Sequence, residues 1–180
     1  LSISRTPLRE ALKVLASEGL LELLPNRGAR VSRLTAAEVD EMFPVMGALE
    51  GLAGEIACQR ISDDGIDEIR ALHYQMAAHH KRREFSEYFG LNQQIHENIM
   101  AATGNATLAI MYASLAARIR MARYRANFSQ SRWDQAMAEN DEILSALTER
   151  DGPRLTAVLR AHLTNTCETL KMGINNTGAE

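Results

Sequence analysis

Over most of its length the chain repeats one arrangement: a helix-capping residue, apolar side chains every three or four positions, then a short polar break. Thr35 and Glu38 form the first such start, because this pair satisfies two free N–H groups of a helix N-terminus. Ser62, Asn105 and Asp151 stand at later starts. The apolar spacing is that of an α-helix with one buried face. The sequence therefore predicts six consecutive helices that pack as an antiparallel bundle.

The breaks between these segments set the expected helix ends and domain boundaries. The first bundle helix is expected to reach about Arg60, with Pro44 causing a kink or a late start. The fifth is expected to be capped near Ser131. The predicted units are a small N-terminal unit at 1–34, the helical bundle at 35–174 and a flexible tail at 175–180.

Charge is distributed unevenly between the two units. Residues 1–36 carry six basic and three acidic side chains, whereas residues 37–180 carry fourteen and twenty. A basic head on an acidic body suits a nucleic-acid module joined to a regulatory domain. The two cysteines, Cys58 and Cys167, have no paired spacing, and no apolar run approaches membrane length. We therefore expect a cytoplasmic protein with reduced thiols and no membrane partner.

The N-terminal unit begins with an amphipathic segment from Ser4 to Leu15. Ser4 or Thr6 is expected to cap this helix, and a proline suits its first turn. Arg5 and Arg9 flank the helix start. A positive helix end that carries arginines suits the major groove of DNA. An ordinary capped surface helix is the alternative for this segment taken alone.

A short hairpin is predicted after this helix. Residues 20–24 and 29–34 have strand character, and Pro25–Gly28 forms a turn with a glycine where a positive φ is needed. A helix, a strand, a basic turn and a strand make the second half of a winged helix. Arg27 at the tip is expected to lie near the minor groove or the DNA backbone.

Residues 1–34 resemble the C-terminal half of the winged helix-turn-helix domain of the GntR family of bacterial transcription regulators. The resemblance rests on Ser4–Leu12 and Pro25–Val31. It implies contacts with double-stranded operator DNA from Arg5, Thr6, Arg9, Arg27 and Gly28. In the family, a first helix and most of a second precede the matching part, so we expect this sequence to be truncated at its N-terminus.

Four polar residues fall on apolar faces of the bundle helices. Asn92 and His96 are spaced i, i+4 and lie on one side of the third helix. Asn140 precedes an apolar pair in the fifth helix, and His162 lies between leucines in the sixth. These residues either form a binding pocket or are simply hydrogen-bonded within the core.

Residues 36–172 resemble the all-helical FCD effector domain of FadR-like regulators, in the six-helix VanR-type arrangement. The matching residues are Asn92–His96, Thr103–Asn105, Glu139–Leu147, Asp151 and Ala161–Leu163. The resemblance implies a divalent metal, Zn, Ni or Mn, held by one acidic or amide residue and three histidines. Asn92, His96 and His162 match these positions, but Asn140 stands where a histidine is expected. An amide oxygen is a weak ligand for such metals, so the pocket is alternatively expected to bind its effector directly.

Arginines recur along the fourth bundle helix. Arg118 aligns with Met111 and Leu115 at helical spacing, which predicts that it faces the pocket and pairs with an effector carboxylate. A solvated basic face or an interface ion pair is the alternative for each of these arginines.

Together these features predict a dimeric transcription regulator, not an enzyme, whose operator affinity depends on a small carboxylate effector in the bundle. Two alternatives stay open. One is a ligand-binding or dimerisation module that does not bind DNA in this fragment. The other is a metal-dependent helical-bundle enzyme, although the sequence contains no nucleophile–base pair or phosphate-binding loop that would support it.

Overall fold

The computed structural model describes residues 4–25, 27–32, 34–126 and 130–177. The first elements along the chain are a helix and a β-hairpin. Helix α1 spans Arg5–Ser17, and strands β1 (Leu21–Leu24) and β2 (Gly28–Val31) pair antiparallel after it. Gly19 follows α1 with a φ of 71°, and Gly28 opens β2 with a φ of 85°. Both conformations favour glycine. The predicted recognition helix and β-wing are therefore confirmed.

Six long helices follow the hairpin. They are α2 (Ala36–Arg60), α3 (Asp63–Arg82), α4 (Phe85–Ala102), α5 (Ala106–Ala126), α6 (Gln130–Thr148) and α7 (Gly152–Thr177). The predicted fold class, a partial winged helix followed by an all-helical six-helix bundle, is confirmed. Among the helices described here, none combines the length and apolarity that a membrane span requires.

The predicted caps account for most of the helix starts. The Glu38 backbone N–H donates to the Thr35 hydroxyl at 3.2 Å, and the Thr35 backbone N–H donates to the Glu38 carboxylate at 2.9 Å. Side-chain oxygens of Ser62, Asn105 and Asp151 lie 3.0–3.1 Å from backbone N–H groups three residues later. These bonds satisfy donors that a helix N-terminus leaves free.

Four local expectations differ from the structure. Helix α2 runs through Pro44 without a late start, because packing against its neighbours outweighs the one backbone hydrogen bond that proline removes. Ser4 stands at the N-cap of α1, but its side chain makes no capping hydrogen bond. Ser131 lies inside α6 rather than capping it. Helix α7 continues to Thr177, past the start of the expected tail at residue 175.

Helix α2 forms the centre of the bundle and packs against α7, α5 and α4. Its glycines allow a close approach to α7. A Cβ at Gly54 would lie 2.8 Å from Cδ1 of Leu159, and one at Gly51 would lie 2.8 Å from Nε of Arg160. The close approach puts α2 deep in the protein, so that Glu50 is only 3% exposed.

Candidate functional site

The candidate DNA-reading residues lie on the surface of the helix–hairpin unit. Thr6 and Arg9 are exposed on α1, and no acidic residue occupies its first turn. Arg27 is exposed in the turn of the hairpin, directly before Gly28. The side chain of Arg5 lies outside the described part of the chain. The exposed cations therefore remain available to a polyanion.

Two other basic residues of this unit, Lys13 and Arg30, are paired with glutamates. Lys13 binds Glu10 at 2.8 Å within α1, and Arg30 binds Glu22 at 2.6 Å across the hairpin. Both pairs are exposed, so each contributes little to stability. Of the three predicted basic contacts, Arg9 and Arg27 are the two whose side chains the structure describes, and both are exposed.

A buried group of charged and amide side chains lies inside the bundle. We name it the polar core cluster, and its members are Glu50, Asn92, His96, Arg123, Arg132, Glu139, Asn140 and His162. Helices α2, α4, α5, α6 and α7 each contribute at least one member. Burial of so many polar groups is costly unless they bind one another or a ligand.

One half of the polar core cluster centres on Glu50. Nη2 of Arg123 donates to both carboxylate oxygens of Glu50 at 2.7 Å, and Nδ1 of His96 lies 3.4 Å from Oε2. Burial alone would raise the pKa of Glu50. The charge of Arg123 and the contact with His96 outweigh burial and lower that pKa to about 2. Glu50 is therefore an anion paired with a buried guanidinium.

The other half centres on Glu139. Nδ1 of His162 lies 2.6 Å from Oε2 of Glu139, and Nη2 of Arg132 donates to the same oxygen at 2.8 Å. Arg132 also donates to the Thr166 hydroxyl at 2.9 Å. Burial lowers the pKa of His162 to about 4, although Glu139 favours its protonation. His162 is therefore neutral at pH 7, and its Nδ1–H donates to Glu139.

The two halves meet at their histidines. The ring centroids of His96 and His162 lie 5.4 Å apart. Each half thus has one arginine, one glutamate and one histidine, and the two carboxylates balance the two guanidinium groups. The predicted residues His96 and His162 are brought together as expected, with Asn92 one helical turn before His96 and Asn140 directly after Glu139.

Several buried atoms of the polar core cluster have no hydrogen-bond partner within the protein. They are Oδ1 of Asn92 and Asn140, Nδ1 and Nε2 of His96, Nε of Arg123, and Nε and Nη1 of Arg132. The amide group of Asn140 is anchored, because Nδ2 donates to the Ala136 carbonyl at 2.8 Å. Buried polar atoms without a partner call for an explanation, and a bound water, ion or small polar ligand would supply one.

These residues do not fit a tightly bound divalent metal. The two imidazoles are suitable ligands, each with a carboxylate behind Nδ1. Asn92 and Asn140, however, contribute amide oxygens without charge, which bind Zn²⁺ or Ni²⁺ weakly. In the described residues no three histidine, cysteine, aspartate or glutamate side chains are grouped so as to hold a metal.

Arg118 does not lie in the polar core cluster, which contradicts its predicted placement. Its Nη2 lies 2.5 Å from Oε1 of Glu38, and its side chain packs on Gly19, where a Cβ would meet Cδ at 3.0 Å. Arg118 therefore joins α5 to the end of α1 and the start of α2. Arg123, five residues later on α5, reaches the cluster instead.

The sequence prediction misplaced Arg118 because it aligned this residue with Met111, which is 53% exposed in the structure. The buried stripe runs through Leu108, Tyr112 and Ile119, and Arg123 follows one turn after Ile119. Arg132 and Glu139 were missed as well, although their i, i+7 spacing puts them on the same side of α6 as each other.

Family models match both units of the chain. The FCD domain matches residues 41–165, and the model described as bacterial regulatory proteins, gntR family, matches residues 1–31. Among solved structures, E. coli McbR/YncC superposes with a TM-score of 0.85 at 19% identity and covers 96% of this chain and 87% of its own. That likeness shows the fold.

Two curated relatives are similar over most of the chain. The Nta operon transcriptional regulator of Aminobacter aminovorans is 30% identical, with 91% of this chain and 76% of the relative covered. The HTH-type transcriptional repressor RspR of Escherichia coli is 25% identical, with 94% and 75% covered. The chain belongs to the gntR family of bacterial transcription regulators that carry an FCD domain.

Proposed function

We propose that this regulator binds operator DNA as a homodimer and that a small carboxylate molecule in the bundle controls its operator affinity. The observation that carries the proposal is the pair of buried guanidinium groups in the polar core cluster that keep unpaired N–H donors. A carboxylate accepts hydrogen bonds from such donors in a charge-assisted geometry. Asn92, His96, Asn140 and His162 supply the remaining polar contacts of this pocket.

DNA is bound through α1 and the hairpin. Thr6, Arg9, Arg27 and Gly28 are the proposed contacts in the described residues, with Arg5 as a further contact inferred from the family resemblance. Cations neutralise phosphates and release counterions, while arginine also reads guanine in the major groove. The acidic bundle keeps non-specific contacts with DNA away from the rest of the protein.

Helix α5 is the proposed connection between ligand and DNA. It carries Arg123 in the polar core cluster and Arg118 at the junction with α1. A ligand that binds one arrangement of Arg123 more tightly shifts the population of that arrangement. A change in α5 then alters how the two recognition helices of a dimer are spaced on their half-sites.

The test uses the protein and an operator selected from genomic fragments. Carboxylates that bind the protein by calorimetry are added to a fluorescence-anisotropy titration of the labelled operator. We expect a ligand that binds to change operator affinity at least several-fold, and Asn92→Ala to remove both ligand binding and the change. Unchanged operator affinity with ligands that demonstrably bind would overturn effector control. Absence of DNA binding altogether would favour the ligand-binding or dimerisation module.

A further inference from the structure

We infer that the pocket recognises its ligand without a metal, because amide side chains at Asn92 and Asn140 replace the two ligands that a metal site would need. The inference rests on the proposed function only in treating this pocket as the effector site. The absence of a metal from the pocket is inferred from the residues of the polar core cluster alone.

The two histidines are arranged as half of a metal site. Their rings lie 5.4 Å apart, and a carboxylate stands behind Nδ1 of each, Glu50 for His96 and Glu139 for His162. Such carboxylates fix the ring orientation of a metal-binding histidine and leave Nε2 for the metal. In His96 this nitrogen is buried and has no hydrogen-bond partner. The scaffold is therefore compatible with a metal on the side of the histidines.

The polar core cluster offers a divalent metal no free anionic ligand. Glu50 and Glu139 are already paired with Arg123 and Arg132. A divalent cation would add two positive charges to a buried site beside two guanidinium groups. Amide oxygens carry no charge and bind such a cation weakly, so Asn92 and Asn140 do not replace the anionic ligand and the third histidine of a metal site.

Several buried polar atoms of the polar core cluster are available to a ligand. Oδ1 of Asn92 and of Asn140 accept hydrogen bonds, and Nε and Nη1 of Arg132 donate them. This set binds a molecule with a carboxylate and neighbouring hydroxyl or amine hydrogens directly. The positive partner of the ligand is thus a guanidinium group rather than a metal ion.

The test titrates Zn²⁺ and Ni²⁺ alone into the purified protein and its variants by isothermal calorimetry, with native mass spectrometry for stoichiometry. We expect His96→Ala to leave the metal titration of the protein unchanged, because the pocket takes no metal. The variant Asn92→Asp with Asn140→His is expected to gain one equivalent of metal with affinity raised roughly 100-fold, in the range that ligand and orienting-residue changes produce.

Two further variants keep the test decisive. Adding Glu139→Gln to the double variant is expected to weaken its metal binding about 10-fold, because His162 loses its orienting carboxylate. If the double variant does not fold, Asn140→His alone replaces it, with its folding checked by circular dichroism. Asn140→His is expected to bind metal more tightly than the unmodified protein. Stoichiometric metal in the unmodified protein that His96→Ala removes would overturn the inference. A folded double variant that gains no metal would also overturn the inference. The same holds for a folded Asn140→His variant where it replaces the double variant. None of these outcomes depends on DNA or on an effector.

Discussion

Arg118 and Glu38 form an ion pair at 2.5 Å at the point where the recognition helix ends and the bundle begins. Glu38 also completes the capping box of α2, and Arg118 packs on Gly19 at the end of α1. One guanidinium therefore contacts both sides of the boundary between the two units. The same helix reaches the polar core cluster through Arg123.

Arg118→Ala is expected to loosen this junction. The pair is partly exposed, with 24% and 39% of its side chains accessible, so its loss costs about 1 kcal/mol at most. That loss corresponds to roughly fivefold faster hydrogen exchange at the first amides of α2. Hydrogen exchange followed by mass spectrometry measures it. Arg120→Ala removes an exposed arginine from the same helix and is the control. Equal hydrogen-exchange rates in the two variants would show that the Arg118–Glu38 ion pair does not stabilise the junction.

The Glu50–Arg123 pair gives a prediction for the core. Each partner is at most 3% exposed, so removing either one leaves the other charge buried without a counter-ion. Glu50→Gln and Arg123→Met are each expected to lower the free energy of unfolding by about 3–5 kcal/mol. The double variant is expected to lose clearly less than the sum of the two, as measured by urea denaturation. Strict additivity would mean that the two charges do not stabilise each other.

The close approach of α2 and α7 gives a prediction for packing. A Cβ at Gly54 would lie 2.8 Å from Leu159, so Gly54→Ala is expected to destabilise the protein by about 1–3 kcal/mol through overpacking. Gly90→Ala meets nothing within 4 Å in the interior of α4 and is expected to stabilise it by about 0.5–1 kcal/mol. Thermal melts of the two variants should shift in opposite directions. Shifts of equal sign would show that α2 and α7 separate easily.

Helix starts and the family could be predicted from the sequence because they depend on local signals. The Thr35–Glu38 capping box needs only two residues three positions apart, and it is formed as expected. The arginine that reaches the polar core cluster from α5 could not be assigned in this way. Arg118 and Arg123 lie on the same helix, and which of them is buried depends on how α5 is rotated against α2. The rotation of α5 depends on how the helices pack against one another. Because α5 carries arginines on several sides, the spacing of its residues does not determine that rotation.

Glu50 and Glu139 show the same limit for charged residues. A glutamate in a helix is usually exposed, and neither residue follows a metal-binding or catalytic spacing. Each becomes part of the polar core cluster only because a buried arginine and a histidine from other helices reach it. Residues that are distant in sequence leave no local pattern, so these pairings could be identified only from the structure.

His162 gives a prediction for pH. Its pKa is lowered from 6.5 to about 4, chiefly by burial and with Arg123 and His96 acting in the same direction against Glu139. The unfolded chain therefore binds a proton that the folded chain does not, between those two values. Stability is expected to be unaffected by this group above pH 6.5 and to fall by up to about 3 kcal/mol as the pH drops from 6.5 through 4.

Urea denaturation at pH 7.5, 6.5, 5.5 and 4.5, values chosen to span that range, measures the loss of stability. His162→Gln is expected to flatten the curve in this interval. A curve for His162→Gln as steep as that of the unmodified protein would show that the pH dependence originates elsewhere.

Arg9 and Arg27 give the prediction for DNA. Each cation that neutralises a phosphate releases counterions, so its removal weakens binding to all sequences and lowers the slope of log affinity against log salt by about one. Arg9→Ala and Arg27→Ala are each expected to do this in anisotropy titrations from low to moderate salt. Lys81→Ala, which removes an exposed cation from α3 in the bundle, is the control and should leave the slope unchanged. An arginine that also reads a base adds a second effect, because its loss weakens the operator more than an unrelated duplex. If both arginine variants have the same slope as the unmodified protein, α1 and the hairpin are not part of the DNA interface.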